Sequence, residues 1–174
     1  MGTKNNFTNK ICRLVNGIFY KIFCLLPVNE ELLLLESDGD CCDNTFALFD
    51  YMNHNHFIDK YKITWLVYNK KQYANKDNVS YANKYPFSLD LKRSYVLATC
   101  KYYIYDHVNV FEGSNGYKKR KGQKFVFLTH GAGFKAATTS MSSLADEVYS
   151  PGKLYYYPIS SWCNCDINKM LDLG

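Results

Sequence analysis

An apolar run that halts at a histidine set among glycines constrains this chain most. Phe125, Val126, Phe127 and Leu128 lead through Thr129 into His130, Gly131, Ala132, Gly133, Phe134 and Lys135. Ligands of open parallel sheets sit outside the carboxyl ends of the strands, so a histidine that closes a buried strand is aimed at the crevice where chemistry is done. Gly131 and Gly133 free backbone N–H groups to approach an anion, and Lys135 adds a point charge within one turn. The same residues also fit a tight turn whose histidine is merely hydrogen-bonded, and both readings stand at this level.

A second loop of the same kind lies nearer the N-terminus. The run Leu32 to Leu35 ends in Glu36, Ser37, Asp38, Gly39, Asp40, Cys41, Cys42, Asp43 and Asn44, after which a helical pattern begins. Asp43 or Asn44 is the expected N-cap, with Phe46, Ala47, Phe49, Tyr51 and Met52 as the helix's buried side. A helix N-terminus in that place favours phosphate. The acidic cluster reads equally as a solvated loop, and without the spacing and closing glutamate of a calcium loop it is no EF-hand.

Beyond Pro27 the alternation continues. Strands are expected at 32–36, 63–68, 78–81, 102–106, 125–129 and 155–160, and helices at 44–57, 88–99 and about 163–173. Strands alternating with helices predict an α/β fold with a Rossmann-like, mostly parallel sheet. A length of 174 residues allows one such domain. An apolar fraction of 47% with 17% aromatics excludes a disordered chain. The net charge of +5 permits an anionic partner, yet no interleaved basic and aromatic motif points to nucleic acid, and Lys118 to Lys121 reads as a solvated loop. Seven cysteines without framework spacing indicate a reducing compartment. Cys41-Cys42, Cys163-x-Cys165 and His54-x-His56 are poor metal sites, so neither a metal nor a cofactor is expected.

Residues 1–29 form an expected separate unit, followed by a domain over 30–174. Ile11, Leu14, Val15, Ile18, Phe19, Ile22, Phe23, Leu25 and Leu26 fall on one side of a helical repeat, with Lys10, Arg13, Asn16, Tyr20 and Lys21 mainly on the other. No acidic residue precedes Glu30. The stretch is too short and too interrupted to span a bilayer, so a basic amphipathic helix on an anionic membrane surface is expected. Packing of the same helix on the domain core is the alternative.

The ordered series of these motifs resembles the N-terminal half of the CDP-glycerol glycerophosphotransferase family, the enzymes that prime and polymerise teichoic acids. Glu36-Ser37, Gly39 and Asp43-Asn44 match its first strand end, and Thr64 to Val67 match its next strand. Lys92 to Ile104 match its helix and buried strand, His130-Gly131 with Lys135 match its His-Gly loop, and Tyr156 to Ser161 match a late strand element. The chain departs from the family where Thr129 replaces a tryptophan and Ala132-Gly133-Phe134 replaces Thr-Pro-Leu.

The resemblance implies the N-terminal domain of a GT-B transferase preceded by an amphipathic helix, the nucleotide-binding C-terminal domain being absent from these residues. It implies transfer of glycerol phosphate from CDP-glycerol to a membrane-linked glycerophosphate or polyol-phosphate acceptor, peripheral to the cytoplasmic face of the cell membrane. His130 is then the general base, and Gly131, Gly133, Lys135, Ser37, Gly39 and Asn44 face substrate phosphates with Glu36 and Asp43 in support. Two rivals remain: a GT-B wall or capsule transferase using another activated donor, and an inert membrane-docking or partner-binding domain.

Overall fold

The computed structural model describes residues 6–75, 78–111, 116–129, 143–163 and 166–172. Among these residues seven parallel strands form one sheet: β1 (Asn29–Glu36), β2 (Lys62–Val67), β3 (Val79–Asn83), β4 (Cys100–Tyr105), β5 (Lys124–Leu128), β6 (Glu147–Ser150) and β7 (Met170–Asp172). Their spatial order is β3-β2-β1-β4-β5-β6-β7. The chain therefore winds outward from β1 to one edge, then returns to β4 and winds to the other. The reversal between β1 and β4 is the switch point at which such sheets open a crevice.

Among the described residues four helices flank the sheet: α1 (Asn6–Phe23), α2 (Asp43–His54), α3 (Leu91–Thr99) and α4 (Tyr156–Cys163). Both faces of the central strands are covered, which is why Leu32 to Leu35 can all be apolar and all buried. On one face Leu34, Tyr103, Tyr105, Phe125 and Phe127 pack in a cluster with Tyr20 of α1 and Val96 and Leu97 of α3. Tyr103 meets Phe125 edge to face with ring centroids 5.0 Å apart. On the other face Leu33, Leu35, Ile63, Trp65 and Val67 pack under α2, where Phe49 stands against Trp65 at 5.7 Å. Each fully buried aliphatic or aromatic side chain contributes about 1.5–3 kcal/mol, so these two layers dominate the fold's stability.

The expected α/β parallel architecture is the observed one, and the five strands expected up to residue 129 all form. The C-terminal expectations need correction. Residues 155–160 are not a strand: a 3-10 turn at Lys153–Tyr155 leads into α4. Pro158 explains the difference, since a proline is tolerated in a first helical turn but removes a ladder hydrogen bond from a strand interior. The helix expected at about 163–173 does not form over the described residues 166–172, where a 3-10 turn at Ile167–Lys169 precedes β7. β6, four residues long with polar ends, carries too short an alternation to be read locally.

α2 also differs in detail. Cys42, not Asp43 or Asn44, occupies the N-cap, and its side chain makes no capping bond. Of the side expected to be buried, Phe49 and Met52 do pack on the sheet, but Phe46, Ala47 and Tyr51 are exposed. Thr45 is the fully buried position, because it faces the crevice end of β1.

α1 packs against the domain through Asn16, Tyr20 and Phe23, whose ring meets Tyr95 edge to face at 5.5 Å. Asn16 is fully buried: its amide donates to the Ser88 carbonyl at 2.9 Å, its Oδ1 accepts from the Asp90 N–H at 3.1 Å, and its carbonyl accepts from Ser94 Oγ at 3.0 Å. The Tyr20 hydroxyl bonds the Lys118 carbonyl, and burial pushes its ionisation upward. Most of the apolar side is turned outward, with Phe7, Ile11, Leu14, Ile18, Ile22 and Leu25 exposed and Val15, Phe19 and Phe23 half-buried. Among the described residues no helix is long and apolar enough to cross a membrane.

Candidate functional site

The ends of β1 and β4 lie side by side, Glu36 in register with Tyr105, and converge on one carboxylate. Glu36 is almost wholly buried, and its Oε2 accepts a short hydrogen bond from the Tyr103 hydroxyl. Its Oε1 has no hydrogen bond among the described residues and faces His107 Nε2 at 3.6 Å and Lys84 Nζ at 3.9 Å. Burial outweighs the opposing pull of His107 and Lys84 and leaves the Glu36 carboxyl raised to about 7. A carboxyl that exchanges its proton near neutrality at a crevice suits proton handling.

Lys84, buried beyond the end of β3, holds the loop after β1 from beneath. Its Nζ donates to the Ser37 carbonyl and, at 3.3 Å, to the Asp38 carbonyl, and it lies 4.6 Å from the Tyr68 ring centre. Arg93 of α3 fixes Lys84 in turn, donating from Nε to its carbonyl at 3.1 Å.

Asp106, just past β4, ties the same loop from the side. Its Oδ1 accepts from the Asp38 N–H at 3.2 Å, and its Oδ2 accepts from the Thr45 N–H at 3.2 Å. The Thr45 hydroxyl lies 2.9 Å from Asp106 Oδ2 and 3.1 Å from the Glu36 carbonyl oxygen, with one proton to give to either. One N–H of the first turn of α2 is thus already matched to an internal carboxylate.

The loop itself is tightly wound. Ser37 Oγ donates to the Gly39 carbonyl at 2.9 Å and accepts from the Cys42 N–H at 3.2 Å, so this hydroxyl shapes the turn. A side chain at Gly39 would bring its Cβ within 2.8 Å of Cys42 Sγ, so no larger residue fits there without displacement. Cys41 and Asp43 both adopt left-handed backbone, with φ of 51° and 57°, conformations that cost non-glycine residues about 1–2 kcal/mol each. Burial, with Asp40 beside it, pushes the Cys41 thiol up to about 12, which leaves it an unreactive neutral group.

The loop after β1 is tied to the residue that follows β5. The Asn44 side-chain amide donates to the Thr129 carbonyl at 2.7 Å. Thr129 is held from its other side, where its N–H and hydroxyl reach the Tyr149 carbonyl at 3.1 and 2.8 Å. His130, Gly131, Gly133 and Lys135 lie outside the described residues. Below the contact, a cavity of about 750 Å³ opens between α2 and the face of β4 to β6, floored by Tyr102, Ile104, Val126, Leu128 and Tyr149.

Glu36, Ser37, Gly39, Asp43 and Asn44 are therefore gathered at the switch point as the sequence pattern requires. Lys84, Asp106 and His107 were missed. Lys84 stands in no motif and is far from Ser37 in sequence, and His107 has no glycines beside it. A polar pair directly after the β4 run was the one local signal for Asp106 and His107.

A parallel doubly wound sheet with charged side chains converging on its switch point is an α/β arrangement of the kind whose ligands sit at the carboxyl edge of the strands. The chain belongs to the CDP-Glycerol:Poly(glycerophosphate) glycerophosphotransferase family, whose pattern matches residues 18–156. It is 29% identical over 143 residues to the teichoic acid poly(glycerol phosphate) polymerase of Bacillus spizizenii strain W23, a match covering 79% of this chain and 33% of that relative. Solved structures of the wall teichoic acid polymerase TagF share its fold with a TM-score of 0.68 at 13% identity, covering all of this chain and 48% of theirs. A histidine variant of TagF soaked with CDPG gives the same TM-score of 0.68 at 12% identity over 49% of its length. The chain thus spans between a third and a half of the relatives it matches.

Proposed function

We propose that residues 30–174 form the acceptor-side wall of a teichoic acid glycerophosphotransferase. In this reading the whole enzyme transfers glycerol phosphate from CDP-glycerol to a hydroxyl of a membrane-linked glycerophosphate or polyol-phosphate acceptor. Family membership supports the chemistry. The single geometric observation that carries the site is the Asn44 to Thr129 hydrogen bond, which holds the loop after β1 against the residue that precedes His130.

In the reaction the acceptor oxygen bonds to the phosphorus that carries glycerol, the bond from that phosphorus to CMP breaks, and the acceptor proton passes to His130. General-base help of this kind is worth about two to four decades of rate. Gly131, Gly133 and Lys135 face the phosphates together with the start of α2. Ser37 and Gly39 serve by setting the loop's shape, and Glu36 supports it from beneath. The exposed apolar side of α1, flanked by Lys10, Arg13 and Lys21, rests peripherally on the cytoplasmic face of the membrane, where the acceptor is anchored.

The test is release of CMP from CDP-glycerol in the presence of vesicles carrying a lipid-linked glycerol phosphate acceptor. The chain is supplied alone and fused to the C-terminal half of the Bacillus relative. Turnover is expected only from the fusion and is abolished by His130→Ala. A folded fusion that binds CDP-glycerol yet never releases CMP would overturn the transferase reading in favour of a docking module.

A further inference from the structure

α1 does not reach the surface alone. Its neighbour at the carboxyl edge of the sheet is the connection from β3 to α3, residues 84–90, which carries Tyr85, Phe87 and Leu89. These side chains are exposed, Phe87 by 47% and Leu89 by 56%, as are Leu14 by 64% and Ile18 by 48% on α1. The two apolar segments are locked together. Asn16 binds the Ser88 carbonyl and the Asp90 N–H, and the Arg13 guanidinium lies 5.2 Å from the centre of the Phe87 ring. Tyr85 stacks on Phe87 at 5.5 Å, which stiffens the loop tip.

The α1 charges beside this surface are basic, and Asp90 beneath it is buried and paired with Lys70 Nζ at 2.8 Å. At about 100° per residue, Lys10, Arg13 and Lys21 fall between the exposed apolar stripe and the buried Asn16 and Tyr20. That border is the side on which Phe87 lies. Lys70 and Lys71 line a depression of about 540 Å³ whose wall includes Tyr85, Phe87 and Leu89. Exposed aromatic and aliphatic groups bordered by lysine and arginine match the interface of an anionic bilayer: rings and aliphatic chains enter the acyl boundary while cations stay with the phosphates.

We propose that Phe87 and Leu89 form a second membrane-inserting contact beside α1, with Lys71 facing lipid phosphates, so that an anionic phospholipid bilayer meets the domain at the carboxyl edge of its sheet. The proposal rests on the reading that α1 lies on the membrane. A single helix leaves a domain free to roll about the helix axis. A second contact on the Arg13 side removes that freedom and holds the Glu36 and Lys84 cluster at headgroup level, where the first hydroxyls of a lipid-linked acceptor lie.

The test is partitioning of the full chain onto vesicles of equal parts phosphatidylglycerol and phosphatidylcholine. Three variants are compared with the wild type: Leu14→Ser with Ile18→Ser, Phe87→Ser with Leu89→Ser, and Phe87→Trp. The loop pair is expected to weaken partitioning by about tenfold, as partial burial of two large apolar side chains requires. Phe87→Trp is expected to add blue-shifted emission that brominated lipids quench, above the wild-type signal of Trp65 and Trp162. If the α1 pair binds like the wild type, the reading of α1 itself fails. If the α1 pair loses binding while the loop pair retains it, or the added tryptophan is not quenched, the second contact alone is overturned. Self-association in the absence of vesicles that buries Trp at position 87 would likewise overturn it, assigning the surface to a second copy of the chain.

Discussion

The Asn44 amide donates to the Thr129 carbonyl across 85 residues of sequence, joining the start of α2 to the end of β5 at 2.7 Å. This bond ties the loop after β1, organised by Asp106 and Lys84, to the end of β5, where Tyr149 holds Thr129.

Asn44→Ala is expected to lower stability by about 1 kcal/mol, the ordinary value of one hydrogen bond. In the fusion with a nucleotide-binding half it lowers kcat more than it raises KM, since what is lost is alignment of the two loops. Urea unfolding and CMP-release kinetics measure the two effects separately, and an unchanged kcat would show that the loops align without this bond.

Glu36 makes stability depend on pH in the direction opposite to an ordinary salt-bridged carboxylate. Its folded value, about 7, lies above its ordinary 4.5, so over that interval the folded chain holds a proton that the unfolded chain releases. The contribution is complete below the unfolded value and is lost as pH rises through about 7, at up to about 1 kcal/mol per pH unit. Urea midpoints taken from about pH 5 to about pH 8 are expected to fall, and Glu36→Gln is expected to flatten the fall. His107→Ala, by removing the neighbour that most lowers Glu36, moves the fall to higher pH.

Lys84→Met is expected to cost about 3 kcal/mol, because it removes one partner of a buried ion pair and strands the Ser37 and Asp38 carbonyls. Faster hydrogen exchange confined to the loop after β1 is the local signature, alongside the lower urea midpoint. Exchange unchanged in that loop would mean that Asp106 alone holds it.

His130→Ala is expected to reduce turnover of the fused enzyme by two or more decades with little change in unfolding. His107→Ala is expected to reduce it less, since its ring touches Glu36 and Asp106 and acts through them. Single-turnover CMP release for the two variants, with thermal unfolding as the folding control, ranks them; equal losses would give His107 a direct part.

Local pattern carried much of this protein. Leu32 to Leu35 and Phe125 to Leu128 announce buried parallel strands because both of their faces are covered, and the glycines and polar residues that follow them mark the ligand edge. The family resemblance also lies in these local motifs, in order along the chain. The period of α1 showed one apolar and one polar side, but not which side the domain takes. That choice belongs to the tertiary structure, where Asn16 finds partners 72 and 74 residues away and the apolar stripe is left outside. Lys84 was equally silent, because a lysine becomes part of a site only when the order β3-β2-β1 brings it beneath Ser37, 47 residues distant. At the C-terminus, Tyr155 to Ser160 has strand propensity and a helical structure. Propensity is worth tenths of a kcal/mol per residue, whereas the burial of Ile159 and the placement of Pro158 in a first helical turn weigh more. What the chain determined by itself was every feature that depends on neighbours in sequence. The partners of Asn16, Glu36 and Lys84 depended on strand order, and only the folded sheet decided them.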